Sequence, residues 1–147
     1  MLKNLSIVNF KLIKALEVEF EPGMTVITGE TGAGKSLLVN ALATIFWQKP
    51  RREMLASPTG STRISATFSL AGGFVAAEDE IIVSRLLGWK NDRLRNRAYL
   101  NEQPASGAFL AELGGRLLEI ASQHQQQALL KPRHHLFFLD LFGNLGE

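Results

Sequence analysis

A chain of 147 residues with 46% hydrophobic and 20% charged residues has the make-up of one globular domain that can bury a real core, and not of a disordered segment. The absence of cysteine excludes a disulfide framework and any thiolate metal site. No run nears the roughly 20 apolar residues of a membrane span and the N-terminus lacks a signal-peptide layout, so a cytoplasmic location is expected; a net charge of +2 is too small by itself to argue for a nucleic-acid partner.

Residues 2–9 (LKNLSIVN) carry Leu5 and Ile7 in one phase and Val8 in the other, while residues 15–20 (ALEVEF) alternate through Leu16, Val18 and Phe20. Two strands joined by a short link fit this pattern. Glu21-Pro22-Gly23 reads as a turn, and Met24-Thr25-Val26-Ile27-Thr28 is β-branched and apolar enough for a buried third strand. Next comes Gly29-Glu30-Thr31-Gly32-Ala33-Gly34-Lys35-Ser36, which satisfies G-x-x-x-x-G-K-[ST], the phosphate-binding loop. Leu38, Ala41, Leu42 and Ile45 then recur at helical spacing. A helix is expected from about Lys35 to Trp47, stopped by Pro50, with Lys49, Arg51 and Arg52 beyond its end.

The residue types of the loop follow from its chemistry. Gly29, Gly32 and Gly34 open backbone conformations closed to other residues, so that successive N–H groups, with Glu30, Thr31 and Ala33 between them, converge on phosphate oxygens at a helix N-terminus. Lys35 reaches the β- and γ-phosphates as a point charge, and the Ser36 hydroxyl suits Mg²⁺, which takes oxygen ligands. ATP with Mg²⁺ is the expected cofactor.

Further on, residues 62–70 (TRISATFSL) alternate through Ile64, Ala66, Phe68 and Leu70 as a half-buried strand. Residues 80–87 (EIIVSRLL) and 97–100 (RAYL) read as two more, joined by a polar, basic hairpin tip at 88–96 (GWKNDRLRN). A short helix is expected over 105–113 behind Pro104, ended by Gly114-Gly115; residues 116–121 fit strand or helix, with strand favoured. A polar run at 123–127 and an apolar helix at 136–142, closed by Gly143, complete the chain. The sum is an α/β P-loop NTPase core with an antiparallel β subdomain, incomplete because the repeated β-α-β units of a doubly wound sheet are not found.

The stretches Ile7-Val8-Asn9-Phe10, Leu16 to Phe20 and Gly23 to Ser36, then Arg97-Ala98-Tyr99-Leu100-Asn101 and residues 120–130, resemble the RecN family of bacterial DNA repair proteins, of the structural-maintenance-of-chromosomes (SMC) class of ATPases and related to the ABC ATPases. The resemblance covers nearly the whole chain and implies the N-terminal segment of an ABC/SMC-type head, with the coiled coil and the C-terminal half of the head absent. It implies that Gln123 is the glutamine that approaches Mg²⁺ and the γ-phosphate, so that Lys35 and Gln123 serve catalysis and Ser36 and Gln123 the metal. Lys11 would contact base or ribose. A second head, in a homodimer, would supply the signature motif, and DNA would be a partner in double-strand break repair and recombination. Two departures stand out: Ala121-Ser122 where the family usually has His-Gly, and Trp47-Gln48-Lys49 where it often has Gly-Gly-Arg, a gap that Arg51 or Arg52 would have to fill.

Other readings are weighed on the same residues. A self-contained phosphotransferase or GTPase would use the same loop, but no N-K-x-D base-reading segment is present, since Trp89-Lys90-Asn91-Asp92 has the wrong order. Another SMC- or RecF-like DNA-associated ATPase, or a non-catalytic domain that holds nucleotide structurally, remains open. His124, His134 and His135 fit no zinc spacing and read as surface or capping residues, as do Gln125, Gln126 and Gln127. Lys90, Arg93, Arg95 and Arg97, with Trp89 and Tyr99 nearby, form a basic hairpin tip suited either to solubility or to DNA phosphates and bases.

Overall fold

Alternating apolar residues build one sheet. β1 (Leu2–Phe10) and β2 (Ile13–Glu19) form the first hairpin, β3 (Ser61–Ser69) pairs with the other edge of β1, and β4 (Glu80–Lys90), β5 (Arg93–Leu100) and β6 (Gln103–Ala105) follow, giving the order β2-β1-β3-β4-β5-β6. Every neighbouring pair is antiparallel. Two helices, α1 (Lys35–Phe46) and α2 (Gly107–Leu117), cover one face, the arrangement expected when a half-buried antiparallel sheet must hide its apolar side. The computed structural model describes residues 1–30, 34–57, 60–70, 80–91 and 93–120, together with Leu139 and Gly143.

The core lies between that face and the helices. Leu5, Ile7 and Phe10 of β1, Ile64, Ala66 and Phe68 of β3, and Ile81, Val83 and Leu87 of β4 meet Ala41, Ile45 and Phe46 of α1 and Leu110 of α2. Val8 falls on the opposite side and is exposed; Asn9, at φ 54°, then breaks the alternation so that Phe10 turns back into the core. Phe46 meets Phe68 edge-on, with ring centroids 5.8 Å apart.

Four expectations are corrected. Residues 24–28 do not form a buried strand: Met24 is 90% exposed and Val26 67%, and no ladder joins them to any described strand. A strand needs a hydrogen-bonding neighbour, and the six described strands pair among themselves, apart from a single bridge between Phe10 and Leu55. The nine-residue hairpin tip is also absent, because β4 and β5 stay in register out to Lys90↔Arg93. The second helix does not stop at Gly114-Gly115 but continues to Leu117, and residues 118–120 form no strand. Gly114 is a packing residue: a Cβ there would lie 2.6 Å from Cγ of Phe46, so its lack of a side chain is what lets α2 approach α1. Finally, β6 was not anticipated; Pro104 sits within it on the sheet edge, where a missing N–H is tolerated.

The start of α2 is set locally, since Ser106 accepts a hydrogen bond from the Phe109 N–H at 3.1 Å, a standard N-cap. The expected helix at 136–142 lies outside the described residues except for Leu139, which is helical and accepts a hydrogen bond from the Gly143 N–H at 2.8 Å. Among the described residues, no helix is long and apolar enough to cross a membrane.

Candidate functional site

The phosphate-loop motif meets the fold at the N-terminus of α1. Gly34 is the N-cap, at φ 95° and ψ 0°, a left-handed conformation that favours glycine. No side chain caps this end and no acidic residue occupies the first turn, so the first N–H groups of the helix and the positive end of its dipole are left for an anion. Lys35 folds back over the loop: its Nζ donates to the Gly29 carbonyl and, at 2.7 Å, to the Glu30 carbonyl. Ser36 follows in the first turn. Thr31, Gly32 and Ala33 lie outside the described residues, as does Gln123.

The other end of α1 is pinned by a buried cation. Arg85 of β4, 5% exposed, donates from Nη1 to the Thr44 carbonyl and, at 3.1 Å, to the Gln48 carbonyl, while its Nε donates to Oδ1 of Asn96 at 3.0 Å. Burial pushes its pKa below the ordinary arginine value. The carbonyls at the C-terminus of α1 carry the negative end of the helix dipole and offset the charge. Sequence reading missed this residue, although a signal was present: Arg85 takes the buried phase of an alternation that otherwise runs Ile81, Val83, Leu87. Trp47 adds a tie from Nε1 to the Ala111 carbonyl of α2 at 3.1 Å. The helix that carries the loop is thus fixed at the end remote from it.

Lys11, Lys49 and Arg51 share a cleft of about 380 Å³ with Asn40, Gln48, Glu53 and Met54. Its floor forms because residues 51–56 cross the end of β1: Lys11 donates its backbone N–H to the Met54 carbonyl at 3.0 Å, and Ala56 donates to the Asn9 carbonyl at 3.2 Å. Lys11 is left-handed, at φ 50°, and its ammonium lies 5.7 Å from the Phe10 ring centroid. Lys11 therefore groups with Asn40, midway along α1, and with the turn after that helix. Arg51 and Arg52 part company: Arg51 lines the cleft, whereas Arg52 stacks on Trp89 with 4.9 Å from guanidinium to ring centroid.

Among the described residues no group of His, Asp or Glu is placed to hold a metal ion, and His124, His134 and His135 fall outside them. Of the basic hairpin, Trp89 packs towards the helix side, while Arg93, Arg95 and Arg97 project from the other side with Tyr99.

Residues 4–73 match the family described as an AAA domain. Over its whole length the chain is 36% identical to DNA repair protein RecN of Vibrio cholerae, of which it spans 28%. It is 37% identical to RecN of Synechocystis and 35% identical to RecN of Bacillus subtilis, with 97% of the chain and 26% of the relative covered in each case. Among solved structures, that of the recombination mediator protein RecF with ATP superposes with a TM-score of 0.57 at 19% identity, over 75% of this chain and 30% of that one, a likeness of fold. The chain spans little more than a quarter of the curated relatives it matches, and along nearly its whole length it is similar to DNA repair protein RecN.

Proposed function

We propose that these residues are the ATP-binding segment of a RecN-like ATPase acting in DNA double-strand break repair and recombination in the cytoplasm. The observation that carries this reading is the phosphate-loop sequence opening α1, with Gly34 as an uncapped left-handed N-cap and Lys35 bonded to two loop carbonyls. An ammonium holding neutral carbonyls of its own loop can exchange them for phosphate oxygens, which form shorter and stronger charge-assisted bonds. The donor set fits a magnesium triphosphate: N–H groups and an ammonium for the phosphates, and a hydroxyl at Ser36 for the metal. Glu30, Thr31, Gly32 and Ala33 would lend the remaining loop amides, Gln123 would face the γ-phosphate, and Lys11 would lie towards the base or ribose.

In this role, Mg²⁺ neutralises charge on the phosphates. The chain's own contribution is to bind and orient the triphosphate and to aim the helix dipole at it, with α1 steadied by Arg85. Hydrolysis also needs an ordered water and charge stabilisation on the far side of the γ-phosphate, which other parts of a RecN-like head and a second head would bring. Titration with ATP and GTP, each with and without Mg²⁺, tests the reading. MgATP is expected to bind weakly, Lys35→Ala to lower its affinity at least about tenfold through loss of a charge-assisted contact, and turnover by this chain alone to be negligible. A strong preference for GTP, or binding indifferent to Lys35→Ala, would overturn it.

A further inference from the structure

We propose that the face of the sheet opposite α1 and α2, at its β3–β4–β5 end, is a docking surface for the phosphate backbone of duplex DNA. The register puts Arg63, Leu86 and Arg97 in one row, Ser61, Gly88 and Arg95 in the next, and Lys90 opposite Arg93 in the last. Side chains alternate between the two faces of a sheet, and the intervening residues Thr62, Ile64, Leu87 and Ala98 are buried under the helices. Arg63, Lys90, Arg93, Arg95 and Arg97 are accordingly all exposed together on the open side. Among the described residues the one ion pair is Arg116–Glu112 on α2, so none of these five cations has a carboxylate partner there; Asp92 lies outside the described residues.

Solubility alone does not account for the pattern. Like charges directly opposite one another on a ladder destabilise it, yet Lys90 and Arg93 are such a pair. On the same face the acidic residues stand away from this end, with Glu17 and Glu19 on β2 at the far edge and Glu80 at the opposite end of β4. A polyanion laid across β3 to β5 relieves the repulsion. The choice of duplex over single strand follows from the aromatics. Single strands are held by stacking on exposed rings, but Trp89 is on the helix side beneath Arg52, and Tyr99 is half-buried in a row with Ser65 and Ser84. What remains is a flat array of cations, which reads phosphates without reading bases.

This deepens the proposed role in DNA repair and rests on that reading only for the choice of DNA among polyanions; its test contains no nucleotide, so failure of the ATP site leaves it intact. Fluorescence anisotropy of the chain with a labelled duplex of about 30 base pairs is followed across salt concentration. Five phosphate contacts predict a fall in affinity of about 500-fold between about 50 and 200 mM salt, and Arg95→Gln/Arg97→Gln reduces that fall to about 40-fold. At the lower salt the double variant binds at least about tenfold more weakly on duplexes of unrelated sequence. Arg63→Gln, on a different strand, weakens binding in the same sense, while Arg116→Gln on α2 leaves it unchanged; circular dichroism confirms that each variant is folded. Absence of duplex binding, indifference to both arginine variants, an effect confined to one sequence, or tighter binding of single-stranded DNA or of duplex RNA would overturn the proposal.

Discussion

Residues 24–28 and β3 are written in the same alphabet of threonine, isoleucine and other apolar residues, and they end in opposite states. Ile64 in β3 is fully buried, with β1 on one edge of its strand and β4 on the other. Ile27 is 46% exposed in a stretch with no ladder to a described strand. The difference teaches that β propensity reports how well a residue fits a pleated, half-covered surface; it does not create the surface. β3 finds its edges within the chain, at residues 2–8 and 80–88. The stretch that leads into the phosphate loop finds none among the described residues.

Paired substitutions sharpen this contrast. Ile64→Ala removes buried methylenes from the centre of the core and is expected to lower stability by about 2–5 kcal/mol in chemical denaturation. A loss under about 1 kcal/mol would mean that the β1–β3–β4 core is loosely packed. Gly114→Ala forces a methyl onto Phe46 at the α1–α2 contact and is expected to cost about 1–3 kcal/mol, although alanine is by propensity the better helix former. If the melting temperature rose instead, Gly114 would be an ordinary surface helix position. The smallest effect is assigned to Ile27→Ala, within about 0.5 kcal/mol of the parent. Were it to match Ile64→Ala, residues 24–28 would be paired and buried in solution, and the contrast would collapse.

Much of the fold was legible residue by residue. β3 follows from Ile64, Ala66 and Phe68 at period two, α1 from Leu38, Ala41, Leu42 and Ile45 after the loop, and the β1–β2 hairpin from two alternating runs around a short link. The candidate site was legible as far as the loop itself, because its glycines and lysine sit at fixed offsets for a local reason. What escaped depended on partners far along the chain. Gly114 looks like a helix stop until Phe46, 68 residues earlier, is seen against it. Arg85 looks like one more surface cation until the carbonyls of Thr44 and Gln48 meet it. Trp89 and Tyr99 look like neighbours on one basic tip until the pleat sends them to opposite faces.

By itself, then, the order of residues determined the phosphate loop, the helix it opens and the period of the first, third and fourth strands, since these need only neighbours within a few positions. Only the tertiary structure decided which apolar run becomes a strand, how far the β4–β5 ladder extends, and that five cations stand together on the open face. The physical reason is that a ladder hydrogen bond, a close helix contact and a shared face each require a second segment, whose place the local pattern does not encode.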